Sequence, residues 1–224
     1  MTPETPLAEL AVQIPAATKV FHRHGLDFCC KGWRSLAAAC QSKGLDPLAL
    51  IKEINDESPE SSDGTDWSKR TLEELVEHIV SRYHDPLREE LPRFVAMAHK
   101  VERVHGDKAT CPRGLGAHLE TVYTEVMAHL EKEERILFPM IRAGQPAPMP
   151  VQVMVKEHDD HAVNLRRTRE LTNDFDPPAE ACTTWRALYM GLNVLEQELM
   201  EHIHLENYVL FPRSLVAAEV PETA

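Results

Sequence analysis

The chain has 224 residues, 43% of them hydrophobic, and a formal charge of −12. A packed core is expected and wholesale disorder is not. The acid excess disfavours a nucleic-acid or anionic-membrane binder, which needs a basic footprint to attract phosphate. No apolar run reaches the ~18 residues of a membrane span, and the opening MTPETPLAEL lacks the basic and apolar segments of a signal peptide. The expectation is therefore a cytoplasmic chain without a nucleic-acid or membrane partner.

Apolar spacing is helical nearly throughout, and no convincing alternating run predicts a strand. Residues 1–57 are expected to form a small helical domain from PLAELAVQI, AATKVFHRH, SLAAAC and DPLALIKEIN, with the loop GLDFCCKGW between the second and third. SPESSDGTD, at 58–66, then reads as the turn-rich part of a linker placed at 58–69. Four long helical patterns follow, at roughly 70–104, 114–142, 150–173 and 180–210, broken by GDKATCPRG, AGQPAPMP and NDFDPPAEA. Long helices joined by short loops predict an all-α fold, an antiparallel four-helix bundle over 70–214 with a tail at 215–224. Pro86 and Pro92 fall inside the first long pattern and are expected to kink or break it.

One phrase occurs twice. Residues 129–139 read HLEKEERILFP, and 73 positions on (202 − 129) residues 202–212 read HIHLENYVLFP. His and Glu at i and i+4 share a helix face, so His129 pairs with Glu133 and His202 with Glu206. The preceding helices carry His84-Asp85 and His158-Asp159, spaced 45 (129 − 84) and 44 (202 − 158) residues before their partners. Each half is a helix with one His, then a helix with His-x-x-x-Glu closed by Leu-Phe-Pro, read here as core and helix-stop residues. This is an internal two-fold pattern. A lone His-x-x-x-Glu on a charged helix is ordinarily a solvated face. Four histidines and two glutamates in matched halves instead predict a dinuclear metal centre, each phrase giving a terminal imidazole and a bridging carboxylate. Imidazole with carboxylate suits iron, manganese or zinc, and a sulfur-poor set with bridging carboxylates leans to iron or manganese.

The H…HxxxE…H…HxxxE pattern resembles the hemerythrin-like bundle. The LDFCCKG loop resembles the small cysteine-pair domain that precedes this bundle in the repair-of-iron-centres family. The resemblance implies a centre of two non-haem iron ions with oxo and carboxylate bridges. It assigns His84, His129, His158 and His202 as terminal ligands and Glu133 and Glu206 as bridges. Glu125, one turn before His129, and Glu157, next to His158, match further acidic positions of the family near the centre; surface charge is the alternative for both. His105 matches a family histidine. On a straight helix, however, the 21 residues from His84 (105 − 84) put it ~30 Å away at ~1.5 Å per residue. His161 and His204 are neighbours of ligands, and His161, at i+3 from His158, is expected in solvent rather than at the metal. His22, His24, His78, His99 and His118 show no partner pattern.

Five cysteines, at 29, 30, 40, 111 and 182, do not form a disulfide framework. The adjacent Cys29 and Cys30 read as thiols for redox chemistry, transient iron binding or contact with a target, with Lys31 and Arg34 expected to favour thiolate. Two small buried residues are the plain alternative. Cys40, Cys111 and Cys182 read as packing or surface cysteines. The family resemblance implies repair of iron–sulfur clusters damaged by nitrosative or oxidative stress, by supplying iron to damaged or apo iron–sulfur proteins. Two other readings use the same ligands: reduction or scavenging of nitric oxide at the di-iron centre, and reversible binding of O2 or NO by a carrier or sensor. Monomer and homodimer are both open.

Overall fold

The computed structural model describes residues 1–57 and 65–217. Most of the expected linker, 58–64, and the tail from 218 lie outside them. The described residues are mostly helical, and their sole β pairing is an isolated bridge between Pro6 and Ser35.

Two compact units divide the chain. One comprises 1–75 together with 200–224, the other 76–199. In the first unit, α1 (Leu7–Gln13), α2 (Ala17–Arg23), α3 (Leu36–Gln41) and α4 (Pro47–Asp56) form the N-terminal part. Ser35 caps α3 by accepting from Ala38 N–H, and Asp46 caps α4 by accepting from Leu48 N–H, with Pro47 in the first turn. Leu10, Val20, Phe21, Leu36 and Ile54 of these helices are buried, and Phe28 of the intervening loop packs its ring 5.9 Å from that of Phe21. The same unit holds the end of α10 (Thr183–Leu205), a π-helical turn Glu206–Leu210, and α11 (Phe211–Ala217). Arg213 on α11 donates to the carbonyls of Trp67 and Arg70.

The second unit contains the end of α5 (Leu72–Ile79), a π-helical turn Val80–His84, α6 (Asp85–His105), α7 (Leu115–Lys132), a π-helical turn Glu133–Leu137, α8 (Phe138–Arg142), α9 (Pro148–Thr172) and most of α10. Thr71 and Glu74 start α5 with a capping box: Thr71 Oγ1 accepts from Glu74 N–H, and Glu74 accepts from Thr71 N–H. Four helices converge on one apolar core. Leu87 and Leu91 of α6 meet Leu119, Val122 and Val126 of α7, Leu165 of α9, and Leu192, Leu195 and Leu199 of α10 around a single small cavity. Along its flank, Arg169 of α9 binds the buried Glu196 of α10 through two parallel hydrogen bonds.

Pro92 does not break its helix and lies inside a continuous α6, while Pro86 directly follows the π turn Val80–His84 and Asp85. Leu-Phe-Pro does not stop its helix either, since helix resumes at Phe138 and at Phe211 directly after a π turn. A π turn opens the backbone ring to an i→i+5 bond and relieves the clash between the proline ring and the carbonyl four residues back.

Candidate metal centre

His84 closes its π turn with no solvent exposure, and His129 on α7 is 2% exposed. Glu133, the first residue of the next π turn, is fully buried. Its Oε2 lies 3.5 Å from His84 Nε2 and its Oε1 lies 3.5 Å from His129 Nε2. One carboxylate thus turns each oxygen to a different imidazole. His158 Nε2 is 3.1 Å from His129 Nε2. The facing atoms of His129, Glu133 and His158 all lie within 4.8 Å of one another.

These separations fit donors around a cation. Two atoms each about 2.1 Å from one ion stand about 3.0 Å apart at a right angle and about 3.4 Å apart in a tetrahedron. The His84–Glu133 and His129–Glu133–His158 groups therefore fit two neighbouring ion positions with Glu133 between them. A buried carboxylate among imidazoles would be costly without a cation. The donors are nitrogen and oxygen only, which suits iron, manganese or zinc.

Outer carboxylates orient two of the rings. His84 Nδ1–H donates to Glu134 Oε1 at 2.7 Å, and His129 Nδ1–H donates to Glu157 Oε2 at 2.9 Å. A proton fixed on Nδ1 leaves the Nε2 lone pair for a metal. Arg88 pairs with Glu134 and Lys132 with Glu157. The hydrogen bond from His84, reinforced by Arg88, holds the Glu134 carboxyl down at about 2. Glu134 carries no sequence signal beyond following Glu133, and it was missed above. Glu125 is exposed and accepts from Asn164, so it orients neither ring.

In the other unit, His202 and Glu206 are almost fully buried, with His202 Nε2 3.1 Å from Glu206 Oε1. The second His-x-x-x-Glu phrase thus has the same local form as the first, with Glu206 again opening a π turn.

His161 is buried, against the expectation of a solvent position, and its ring stands edge-on to His129 at 4.9 Å. His105 sits at the far end of α6, where Nε2 is 3.2 Å from Cys182 Sγ and the ring lies 5.3 Å from Trp185. His204 packs between Phe28 and Tyr208, and burial pushes its pKa down to about 4. His24 pairs with Glu53, His99 with Glu120, and His118 with Asn164 O and Thr168 Oγ1.

Cys29 is buried and Cys30 half-buried, with their sulfurs 3.6 Å apart. The expectation of a thiolate at Cys29 is corrected. The hydrogen bond with Cys30, together with burial, holds the Cys29 thiol well above its ordinary range. Arg34 is occupied elsewhere, donating to Ala38 O.

A helical core that turns buried imidazoles and a shared carboxylate inward defines a cation-binding protein of the hemerythrin type, and the sequence profile of the hemerythrin HHE cation binding domain matches residues 75–214. A second profile, for a domain of unknown function, matches residues 3–58. The iron–sulfur cluster repair protein YtfE of Yersinia pseudotuberculosis serotype O:1b (strain IP 31758) is 50% identical over 211 residues, covering 93% of this chain and 96% of its own. The probable iron–sulfur cluster repair protein of Haemophilus influenzae is 46% identical over 213 residues, with the same two shares. The chain belongs to this family of hemerythrin-type iron–sulfur cluster repair proteins.

Proposed function

We propose that the chain holds two iron ions and restores damaged iron–sulfur clusters by supplying iron to them. Terminal ligands would be His84, His129, His158 and His202; bridges would be Glu133 and Glu206. The observation that carries this reading is Glu133, a buried carboxylate with one oxygen toward His84 and the other toward His129. The second phrase, His202 with Glu206, supports it by repeating the same local geometry in sequence and in structure. The names of the relatives, iron–sulfur cluster repair proteins, support the function.

The chain's own residues do three things at such a centre. Glu133 and Glu206 each offer a pair of oxygens, so that mutual repulsion between two cations is screened. Glu134 and Glu157 keep His84 and His129 in the tautomer that presents Nε2. The donors themselves are buried, which would strengthen every charge–ligand contact. The bound ions supply exchangeable ferrous iron. Clients are damaged or apo iron–sulfur proteins, and the cytoplasm is the proposed compartment, where the vicinal thiols of Cys29 and Cys30 stay reduced.

The test is metal analysis followed by transfer. Protein expressed with ample iron should carry about two iron atoms per chain and pass iron to an apo iron–sulfur protein under anaerobic conditions. One zinc and no iron would sink the di-iron reading. Nitrous oxide formed in catalytic amounts from added nitric oxide, without iron transfer, would replace iron supply by nitric oxide reduction.

A further inference from the structure

We propose that Asp27, Cys29 and Cys30 form a second metal site. It would take one divalent first-row transition ion in tetrahedral geometry, with its fourth position open to solvent or to a client ligand. This goes beyond the function proposed above and does not depend on the occupancy of the bundle.

The donor atoms of the three residues all lie within 4.8 Å of one another. Cys29 Sγ is 3.6 Å from Cys30 Sγ and 3.5 Å from Asp27 Oδ1. Around a tetrahedral ion with metal–sulfur bonds of about 2.3 Å and a metal–oxygen bond of about 2.1 Å, those separations would be about 3.8 and about 3.6 Å. Two edges of the triangle thus match one face of such a coordination shell, and the third lies within 4.8 Å. A linear two-thiolate ion would need about 4.6 Å between sulfurs at the same bond length, which the pair does not offer. Two thiolates and a carboxylate suit ferrous iron, cobalt or zinc better than magnesium or calcium, which take all-oxygen shells.

The triangle is held in place before any ion arrives. Asp27 Oδ1 accepts from the backbone N–H groups of Cys30 at 2.9 Å and of Lys31 at 3.2 Å. The Cys29 carbonyl accepts from Asn207 Nδ2 at 3.0 Å. Gly32 closes the loop where no side chain fits. A Cβ there would come within 2.3 Å of Phe28 O and 2.7 Å of Ala8 Cβ. Asn207 follows Glu206 directly on the π turn, so the loop is tied to the turn that bears a proposed bridging ligand.

The chemistry balances without any redox step. The divalent ion binds as both thiols release protons to solvent, leaving two thiolates and one carboxylate around it. The bound site would carry a single net negative charge. With Cys30 half-buried and only three protein ligands, the site is built for transit rather than for permanent structure, which uses four.

Cobalt(II) is the probe. Reduced full-length protein, with its bundle already loaded, is titrated with cobalt chloride without oxygen. Sulfur-to-cobalt charge-transfer absorption should rise to a plateau at one added equivalent, with the visible bands of a tetrahedral ion. No sulfur belongs to the bundle's ligands, so this signal reports the new site even if the di-iron reading fails. Cys30→Ser should abolish the signal while the far-ultraviolet circular dichroism stays unchanged. Cys29→Ser should do the same, and Cys30→Ser decides the matter if the buried Cys29→Ser fails to fold. Asp27→Asn keeps the oxygen that accepts from the loop backbone and should weaken cobalt binding at least about tenfold. Cys182→Ser, which breaks the contact with His105, should leave the signal intact. Absence of the band in the wild type, its survival in Cys30→Ser, or its loss in Cys182→Ser alone would each overturn the proposal.

Discussion

Replacing Glu134 or Glu157 with Ala is expected to loosen the metal although neither is a ligand. Each accepts one Nδ1–H hydrogen bond from a proposed ligand imidazole, at 2.7 Å from His84 and 2.9 Å from His129. A hydrogen bond to a charged acceptor contributes about 1.5–3 kcal/mol. The two carboxylate side chains are 29% and 25% exposed, so the lower end of that range applies. Loss of about 1.4 kcal/mol is about a tenfold fall in metal affinity, the lower edge of what outer partners of metal-bound histidines typically contribute. The two glutamates act on different imidazoles, so Glu134→Ala/Glu157→Ala should lose about 100-fold if the effects add. Glu134→Gln keeps an accepting oxygen without its charge and should lose about threefold. Glu125→Ala, whose carboxylate binds Asn164 instead, is the control and should match the wild type. The assay is competition with a chelator of known affinity, read as the chelator concentration that removes half the metal. If both single Ala variants hold metal within threefold of the wild type, the outer carboxylates do not orient the rings and the argument from tautomer is wrong.

Glu133→Ala or Glu206→Ala should lose metal more readily than His84→Ala or His158→Ala, because a bridge serves both ions and water can fill a single terminal place; full metal content in either glutamate variant would falsify its bridging role. Gly32→Ala should destabilise the N-terminal part by about 1–3 kcal/mol, measured by denaturant unfolding, since its Cβ would come within 2.7 Å of Ala8 Cβ and 2.3 Å of a backbone oxygen. Burial lowers the His118 pKa below its ordinary 6.5, so below about pH 6.5 the unfolded chain takes up a proton that the folded chain refuses, and stability falls as pH drops. His118→Gln should flatten the stability-against-pH curve in that range, and an unchanged slope would show that His118 contributes nothing to it.

Much of the buried His/Glu cluster was legible because its proposed ligands repeat. His129 with Glu133 and His202 with Glu206 lie one helical turn apart, a spacing visible in the chain alone, and their burial follows from the apolar residues on the same faces. The long helices were legible for the same reason, since a period of 3.6 survives in the pattern of Leu and Val. Of the two outer carboxylates, Glu157 was legible only through its place beside His158, and Glu134 was not legible at all. Glu157 stands next to His158 yet serves His129, 28 positions earlier (157 − 129). Glu134 serves His84, 50 positions earlier (134 − 84). Such pairs are made by helix packing, and an acid on a charged helix looks the same whether it meets water or an imidazole. His105 shows the converse: its resemblance to a family position drew attention, but α6 runs unbroken and carries it to Cys182 and Trp185 instead.

The prolines carried a signal that composition and periodicity do not expose. Pro139 stands six residues after Glu133 (139 − 133) and Pro212 six after Glu206 (212 − 206), while Pro86 stands two after His84. Each is preceded by a π turn, and each such turn has a proposed ligand at its edge: His84 ends one, Glu133 and Glu206 begin the others. In the latter two, the glutamate's own carbonyl accepts from the residue five further on, Phe138 or Phe211. An α-helical turn would drive the proline ring into the carbonyl four residues back and leave that carbonyl without its donor. Widening the turn removes the clash at the cost of poorer local geometry, which a helix accepts where something else holds it. Here that something would be a side chain fixed by coordination. The fourth helix with a proposed ligand supplies the contrast: α9 carries His158 mid-helix, has prolines only in its first turn, and shows no π turn. In this chain a proline two or six residues past an inward His or Glu therefore marks a proposed ligand at the edge of a π turn, and it separates the three segments that carry such a turn from the one helix that does not.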